Sequence, residues 1–167
     1  MKLEEAWFRK EGFHSNPFSI KPAAFHDEVV GYKVEPIINK IEEGAVMFVE
    51  APFGSGKTTL LKRIIRHFKG EEKLVYYSHT HSEKIDIEKL LKGASLFGKV
   101  FGKLPSGTIF LIDEASEAAP DDFSEVLKYV ESGNLKSVVF FGTKYNRSRF
   151  PDGLKNLLNG NVMRLSS

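Results

Sequence analysis

Two glycines, a lysine and three hydroxyl side chains lie close together between residues 51 and 59, where they are suited to binding phosphate. The segment reads A-P-F-G-S-G-K-T-T and follows the pattern G-x-x-x-x-G-K-[ST] except at the first place, where Ala51 stands for glycine. Gly54 and Gly56 would allow backbone N–H groups to turn inward, because a side chain there would block the approach of phosphate oxygens. The N-terminus of the following helix would stabilise the same anions. This pattern predicts a loop that binds the phosphates of a nucleoside triphosphate.

The side chains of this turn have separate predicted tasks. Lys57 would reach the β- and γ-phosphates as a mobile point charge, and the Thr58 hydroxyl would bind Mg²⁺. The residues predicted to contact the nucleotide are Pro52, Phe53, Gly54, Ser55, Gly56, Lys57, Thr58 and Thr59. The alternative is a turn that only connects a strand to a helix, and the combination of strand, glycines, lysine and helix favours the phosphate site.

A pair of acids, Asp113 and Glu114, follows an apolar run at residues 109–112. A buried strand at this run would carry Asp113 to the phosphate edge, where the carboxylate would bind Mg²⁺ through water. Glu114 would polarise the water that attacks the γ-phosphoryl group. The alternative is a strand that ends in a solvated acidic pair. The phosphate loop earlier in the chain favours the catalytic interpretation.

Strands and helices alternate along the chain and would position these groups. Apolar runs predict strands at residues 46–49, 73–78, 108–112 and 137–141, with a short fifth strand at 161–165. Helical spacing of apolar residues predicts helices at 34–43, 60–68, 85–96 and 121–131, and a short one within 150–160. This alternation predicts an α/β fold with three layers, in which a parallel five-stranded sheet has helices on both faces. Ligands of such folds bind at the carboxyl ends of the strands.

The phosphate loop, together with an apolar strand that ends in Asp113 and Glu114, resembles the Walker A and Walker B motifs of the additional-strand catalytic-glutamate (ASCE) class of P-loop ATPases. Within that class the chain is similar to the AAA+ core over roughly residues 13 to 165. It is most like the archaeal and bacterial initiator-like, transposition-helper and secretion-helper ATPases. The resemblance implies the P-loop NTPase fold of RecA- and AAA-like cores, with ATP and Mg²⁺ as cofactors.

Two further matches lie near the N-terminus. An Asn-Pro-Phe segment often precedes the first helix of these ATPases, and residues 16–18 match it. A short hydrophobic-glycine segment that contacts adenine is matched by residues 29–32, so the resemblance implies that Val30 and Gly31 bind the nucleotide. Residues 1–33 would therefore be an N-terminal extension that contributes to the nucleotide site, and residues 34–167 would be the NTPase core of a single-domain chain.

The resemblance also implies functional groups just after the fourth strand. The family has a polar sensor at this position, for which Thr143 is the candidate and Asn146 the second choice. An arginine beyond the strand reaches the nucleotide of a neighbouring subunit, where it stabilises charge in the transition state. Arg149, with Arg147 nearby, is the candidate for that role, which would require self-association through the nucleotide face. Solvated loop side chains are the alternative for all four residues.

The sequence departs from the family at its end, since AAA+ proteins continue into a helical lid and these 167 residues end at Ser167. Either a fragment or a reduced core would explain this. With 24 basic and 22 acidic side chains, the net charge of +2 neither requires nor excludes a DNA partner. The chain has no cysteine, which excludes disulfides and thiolate metal sites. No apolar run is long enough to span a membrane and no signal peptide is evident, so a cytoplasmic location is expected.

The predicted function is Mg²⁺-dependent binding and hydrolysis of ATP, coupled to a conformational change on a macromolecular partner, either DNA or protein. One alternative is a regulatory or interaction module that binds ATP or ADP with little turnover, which the missing lid favours and the acidic pair opposes. Another is a GTP-dependent switch, because residues 143–146, T-K-Y-N, resemble the guanine-reading motif [NT]-K-x-D. Asn146 replaces the aspartate of that motif, so adenine is the expected base.

Overall fold

Parallel strands form the centre of the protein, whose structure, a computed structural model, describes residues 34–68, 73–79, 84–94 and 103–165. The strands are β1 (Val46–Glu50), β2 (Leu74–Ser78), β3 (Thr108–Asp113), β4 (Leu135–Gly142) and β5 (Val162–Arg164). The helices are α1 (Glu35–Glu42), α2 (Lys57–Phe68), α3 (Ile87–Ala94), α4 (Pro120–Glu131) and α5 (Asp152–Leu158), and a 3₁₀ turn covers Arg147–Arg149. The predicted N-terminal extension, with Val30, Gly31 and the Asn-Pro-Phe match, lies outside the described residues.

The five strands of the described sheet run parallel in the order β2-β3-β4-β1-β5. Strand β3 is buried along its whole length and β4 along nearly all of it, which explains why both are apolar on both faces. Because the strands are parallel, their carboxyl ends lie at one edge of the sheet. The predicted α/β fold with a parallel five-stranded sheet is confirmed.

Two hydrophobic cores, one on each face of the sheet, produce the three layers. Met47 and Val49 of β1 pack with α1 and α2, whereas Val46 and Phe48 pack with α3, α4 and α5. This division follows from the period of two in a strand, since successive side chains point to opposite faces. Helices therefore cover both faces, as predicted. None of the described helices is both long enough and apolar enough to cross a membrane.

Polar contacts explain where the third helix begins. The Asp86 carboxylate accepts a hydrogen bond from Lys89 N at 2.9 Å and caps the helix, so α3 begins at Ile87 rather than at the predicted residue 85. The amide of Ile85 donates instead to Asp122 Oδ1 of α4 at 3.0 Å. Ile85 therefore belongs to a connection between two helices, which its apolar character did not indicate.

Candidate nucleotide-binding site

The turn at residues 51–56 joins β1 to α2 at the carboxyl edge of the sheet. Gly54 and Gly56 have φ angles of 81° and 83°, a left-handed conformation that favours glycine. Helix α2 begins at Lys57, so the turn leads directly into the first N–H groups of the helix, which have no intrahelical acceptor. A glycine turn that leads into a helix N-terminus is a backbone suited to binding an anion; within the turn, the Ser55 amide donates to Pro52 O at 3.1 Å.

The side chains of this turn differ in their exposure. Pro52, Phe53 and Thr58 are exposed, and Phe53 has 90% of its surface open to solvent. Ser55 is buried, and Thr59 is half-buried. Thr58 occupies the second position of α2, where its hydroxyl is accessible to a ligand.

Lys57 connects the glycine turn to the acids that end β3. Its ammonium lies 2.8 Å from Asp113 Oδ1 and donates a hydrogen bond to Glu114 Oε1. Burial would lower the pKa of Lys57, but the hydrogen bonds and negative charges of Asp113 and Glu114 outweigh it and raise that pKa above its ordinary value. Lys57 is therefore a cation at neutral pH. Three of the predicted site residues are thus in direct contact.

Asp113 is 8% exposed and has a hydrogen-bond donor on each carboxylate oxygen. Oδ1 accepts from Glu114 N at 2.8 Å as well as contacting Lys57, and Oδ2 accepts from the Tyr76 hydroxyl at 3.3 Å. Tyr76 lies on β2, the strand next to β3. Burial, followed by the charge of Asp113, raises the pKa of Tyr76, so its hydroxyl stays protonated and able to donate. Sequence reasoning missed Tyr76, for which the only signal was a pair of tyrosines in an apolar strand.

Glu114 has a φ angle of 53° and is the only non-glycine residue with a positive φ in the described part of the chain. This conformation is uncommon outside glycine, and residues held in it cluster at functional sites. The turn follows the last residue of β3 directly, and the Glu114 carboxylate contacts Lys57 there. Its side chain is 34% exposed, so water can reach it.

The oxygen donors at this edge suit Mg²⁺, a hard cation that proteins usually bind through one or two carboxylates together with phosphate oxygens. Asp113 supplies a buried carboxylate and Thr58 an accessible hydroxyl. Among the described residues, no group of three or more histidine, aspartate or glutamate side chains could hold a metal ion. A metal here would therefore complete its coordination shell with water or with oxygens of a bound nucleotide.

Ser116 joins the loop after β3 to the end of β4. Its Oγ accepts a hydrogen bond from Thr143 N at 3.0 Å and lies 3.4 Å from Thr143 Oγ1. Gly142 permits this approach, because a Cβ there would lie 2.5 Å from Ser116 Oγ and 2.8 Å from Phe48 Cζ. Thr143 therefore contacts the loop that begins with Glu114, while its role as a sensor stays a prediction. Sequence reasoning missed Ser116, because nothing in its local pattern indicated a partner.

Arg149 contacts carbonyl groups of the same loop. Its two terminal nitrogens, Nη1 and Nη2, donate hydrogen bonds to Ser116 O and Ala118 O. A guanidinium bound in this way holds the loop of its own chain, and its role toward a neighbouring nucleotide stays a prediction. Asn146, the second sensor candidate, caps the 3₁₀ turn, since its Oδ1 accepts from Ser148 N at 3.1 Å.

The fold of the described residues is that of an AAA+-type P-loop core, and several solved structures share it. Cdc6p from Pyrobaculum aerophilum is similar with a TM-score of 0.53 and 14% identity, over 90% of this chain and 48% of that chain. A structure of Drosophila ORC bound to AT-rich DNA and Cdc6 is similar with a TM-score of 0.56 and 4% identity, over 80% of this chain and 28% of that chain. A DNA polymerase III gamma subunit-related protein from Thermotoga maritima is similar with a TM-score of 0.51 and 14% identity, over 81% of this chain and 46% of that chain.

These likenesses show the fold alone, because the sequence identities are 14% or lower. The chain spans less than half the length of each of these three proteins. No protein-family model and no curated protein sequence matches it. The resemblance to the AAA+ core, first indicated by the glycine turn and the acidic pair, is therefore confirmed at the level of the fold.

Proposed function

We propose that this chain binds ATP with Mg²⁺ at the edge formed by the glycine turn, Lys57 and the acids Asp113 and Glu114, and that it hydrolyses the nucleotide. The observation that supports this most directly is the contact of Lys57 with both acids. Residues far apart in the sequence meet at the carboxyl edge of a parallel sheet, which is where such folds bind ligands. A simple surface ion pair would not require Gly54, Gly56 and Glu114 beside it to adopt positive φ angles.

Each group of the site would have one task during hydrolysis. The backbone N–H groups of the turn and the Lys57 ammonium would bind the β- and γ-phosphates. Thr58 and Asp113 would hold Mg²⁺, which when bound offsets the negative charge of the phosphate oxygens. Glu114 would orient the attacking water and accept its proton.

Binding of the triphosphate would change the partners of Lys57. Its side chain is long and flexible, and phosphate oxygens would compete with the two carboxylates for its three N–H donors. Glu114 would then be free to accept a hydrogen bond from water. Asp113 would keep the hydrogen bond from the Glu114 amide, which does not depend on Lys57.

ATP, rather than GTP, is the proposed nucleotide. The guanine-reading interpretation of residues 143–146 needs an acid at the last position, where this chain has Asn146. The Asn146 Oδ1 already accepts hydrogen bonds from Ser148 N at 3.1 Å and Ser148 Oγ at 2.8 Å, so it is engaged in the 3₁₀ turn. Val30 and Gly31 remain the predicted contacts of the adenine ring.

A macromolecular partner would couple hydrolysis to a conformational change. The similar Drosophila ORC structure is bound to AT-rich DNA, so DNA is the first partner to test, on fold-level analogy. Self-association through the nucleotide face is also proposed, since the predicted role of Arg149 needs a neighbouring copy. Because Arg149 donates to carbonyls of its own chain, the second candidate function is a nucleotide-binding module with little turnover.

The affinity of the Lys57→Ala variant for ATP tests the proposal. We expect the parent chain to bind ATP more tightly than GTP in the presence of Mg²⁺. The substitution should weaken ATP binding about tenfold or more, because it removes hydrogen bonds from a charged donor. Lys89→Ala removes an exposed lysine of α3 and is the matched control, with the affinity of the parent.

Equal affinity of Lys57→Ala and the parent chain for ATP would show that this site is not where the phosphates bind. Phosphate release, measured with and without DNA, then separates the two candidate functions. Release stimulated by DNA favours the coupled ATPase. Binding without release under either condition favours the module with little turnover.

A further inference from the structure

Tyr76 reaches the predicted metal-binding carboxylate from a neighbouring strand. In the pairing of β2 with β3, Tyr76 lies opposite Leu111, and Leu111 is two residues before Asp113. Side chains two residues apart in a strand point to the same face, so Leu111 and Asp113 share a face of the sheet. The phenol side chain spans the rise of two residues, about 7 Å, and its hydroxyl lies within hydrogen-bond distance of Asp113 Oδ2.

The surroundings of Tyr76 indicate that its hydroxyl matters more than its ring. Tyr76 is 44% exposed and belongs to neither hydrophobic core, so the ring contributes little to packing. Asp113 is 8% exposed, and solvent does not readily replace a donor to a carboxylate that is so deeply buried. The hydrogen bond between the two residues is therefore important to Asp113.

We infer that Tyr76 is a positioning residue for Mg²⁺, an assignment that rests on the proposed function of this site. When Lys57 moves to the triphosphate, Tyr76 and the Glu114 amide are the donors that keep the Asp113 carboxylate in place. Because Tyr76 holds Oδ2, the other oxygen, Oδ1, stays directed at the position of the Lys57 ammonium beside the glycine turn. Tyr76 touches neither the phosphates nor the metal and acts through Asp113.

The Tyr76→Phe variant removes only the hydroxyl and tests this inference. Binding of a fluorescent ATP analogue is measured in EDTA and then as Mg²⁺ is added. The Mg²⁺ concentration that produces half of the gain in affinity should rise about tenfold. This is the lower end of the effect expected when a metal ligand loses its hydrogen-bond partner. The affinity in EDTA should equal that of the parent chain. The affinity for Mn²⁺ in the presence of the same nucleotide, measured by electron paramagnetic resonance, should fall by the same factor. This measurement does not depend on turnover.

Tyr77→Phe is the matched control, because Tyr77 is the next residue of β2 and packs against the core on the opposite face. Its Mg²⁺ dependence should equal that of the parent chain. Asp113→Asn gives the Mg²⁺ dependence expected when the carboxylate is lost entirely. Thermal unfolding should show that Tyr76→Phe is folded like the parent.

Two outcomes would overturn the inference in different ways. If Tyr76→Phe binds nucleotide with the same Mg²⁺ dependence as the parent chain, the Tyr76 hydroxyl does not position the metal. The proposed ATP site would be unaffected by that result. A parent chain that binds no nucleotide with or without Mg²⁺ removes the proposed function and, with it, the role of Tyr76.

Discussion

The polar groups at the carboxyl edge of the sheet form two regions that are built from different kinds of contact. In the first, which we call the charged region, side chains contact side chains. Its members are Lys57, Asp113, Glu114 and Tyr76. In the second, which we call the loop junction, side chains contact mainly the backbone. Its members are Ser116, Gly142, Thr143 and Arg149.

This difference indicates that the two regions serve different purposes. Contacts between flexible side chains can be exchanged for contacts with a ligand while the backbone stays where it is. Contacts that satisfy backbone amides and carbonyls hold the chain itself, and releasing them leaves polar groups without partners. The charged region is thus suited to binding and chemistry, and the loop junction to keeping the loops in place. Glu50 combines both patterns, because its Oε2 accepts a hydrogen bond from Tyr145 N at 3.0 Å and its Oε1 lies 3.6 Å from Arg164 Nε.

Among the variants that test this comparison, Glu114→Gln in the charged region should have the largest effect. The amide keeps the size of the side chain but cannot accept a proton, so phosphate release should fall about 10²- to 10⁴-fold. ATP affinity and stability should change little. Glu117→Gln alters an exposed acid of the same loop and is the control. Unchanged phosphate release in Glu114→Gln would remove Glu114 from the chemistry.

Gly142→Ala, in the loop junction, should change the stability of the protein rather than its chemistry. The added methyl would overlap Ser116 Oγ and Phe48 Cζ, so the free energy of unfolding in urea should fall by about 1–3 kcal/mol. Gly93→Ala is the control, because a Cβ there meets nothing within 4 Å and alanine favours the helix. A Gly142→Ala chain as stable as the parent would show that the junction is not closely packed.

Arg149→Ala should produce the smallest effect, a loss of about 1 kcal/mol in the free energy of unfolding, because two hydrogen bonds to the carbonyls of Ser116 and Ala118 disappear. Arg147→Ala removes an exposed arginine and should stay within about 0.5 kcal/mol of the parent. Equilibrium unfolding measures both.

A different result for Arg149→Ala would break the comparison. If stability is unchanged and phosphate release is lost only where the chain self-associates, Arg149 acts on a neighbouring nucleotide. The sequence-based prediction of its role would then be correct, and the loop junction would take part in the chemistry.

Much of the charged region could be predicted because its signals are local. The conformation of the turn depends on the backbone freedom of Gly54 and Gly56, and the burial of Asp113 depends on the apolar residues just before it. The shared position of Lys57 and the acids followed from one rule, that parallel strands end at the same edge of the sheet, whereas their direct contact was not predicted.

The loop junction and Tyr76 could not be predicted in this way, because their contacts depend on which strand lies beside which. Strand β3 lies between β2 and β4, so Tyr76 reaches Asp113 from one neighbour and Thr143 meets Ser116 from the other. In the sequence, Arg149 has the features of a solvated loop arginine, and only the fold places its guanidinium beside two carbonyls.

By itself, the sequence determined the fold class, the glycine turn and the acidic end of the third strand, since these follow from hydrophobic periodicity and the backbone chemistry of neighbouring residues. Only the tertiary structure decided which side chains hold those groups, because the order of strands in the sheet sets the distances between residues that are far apart along the chain.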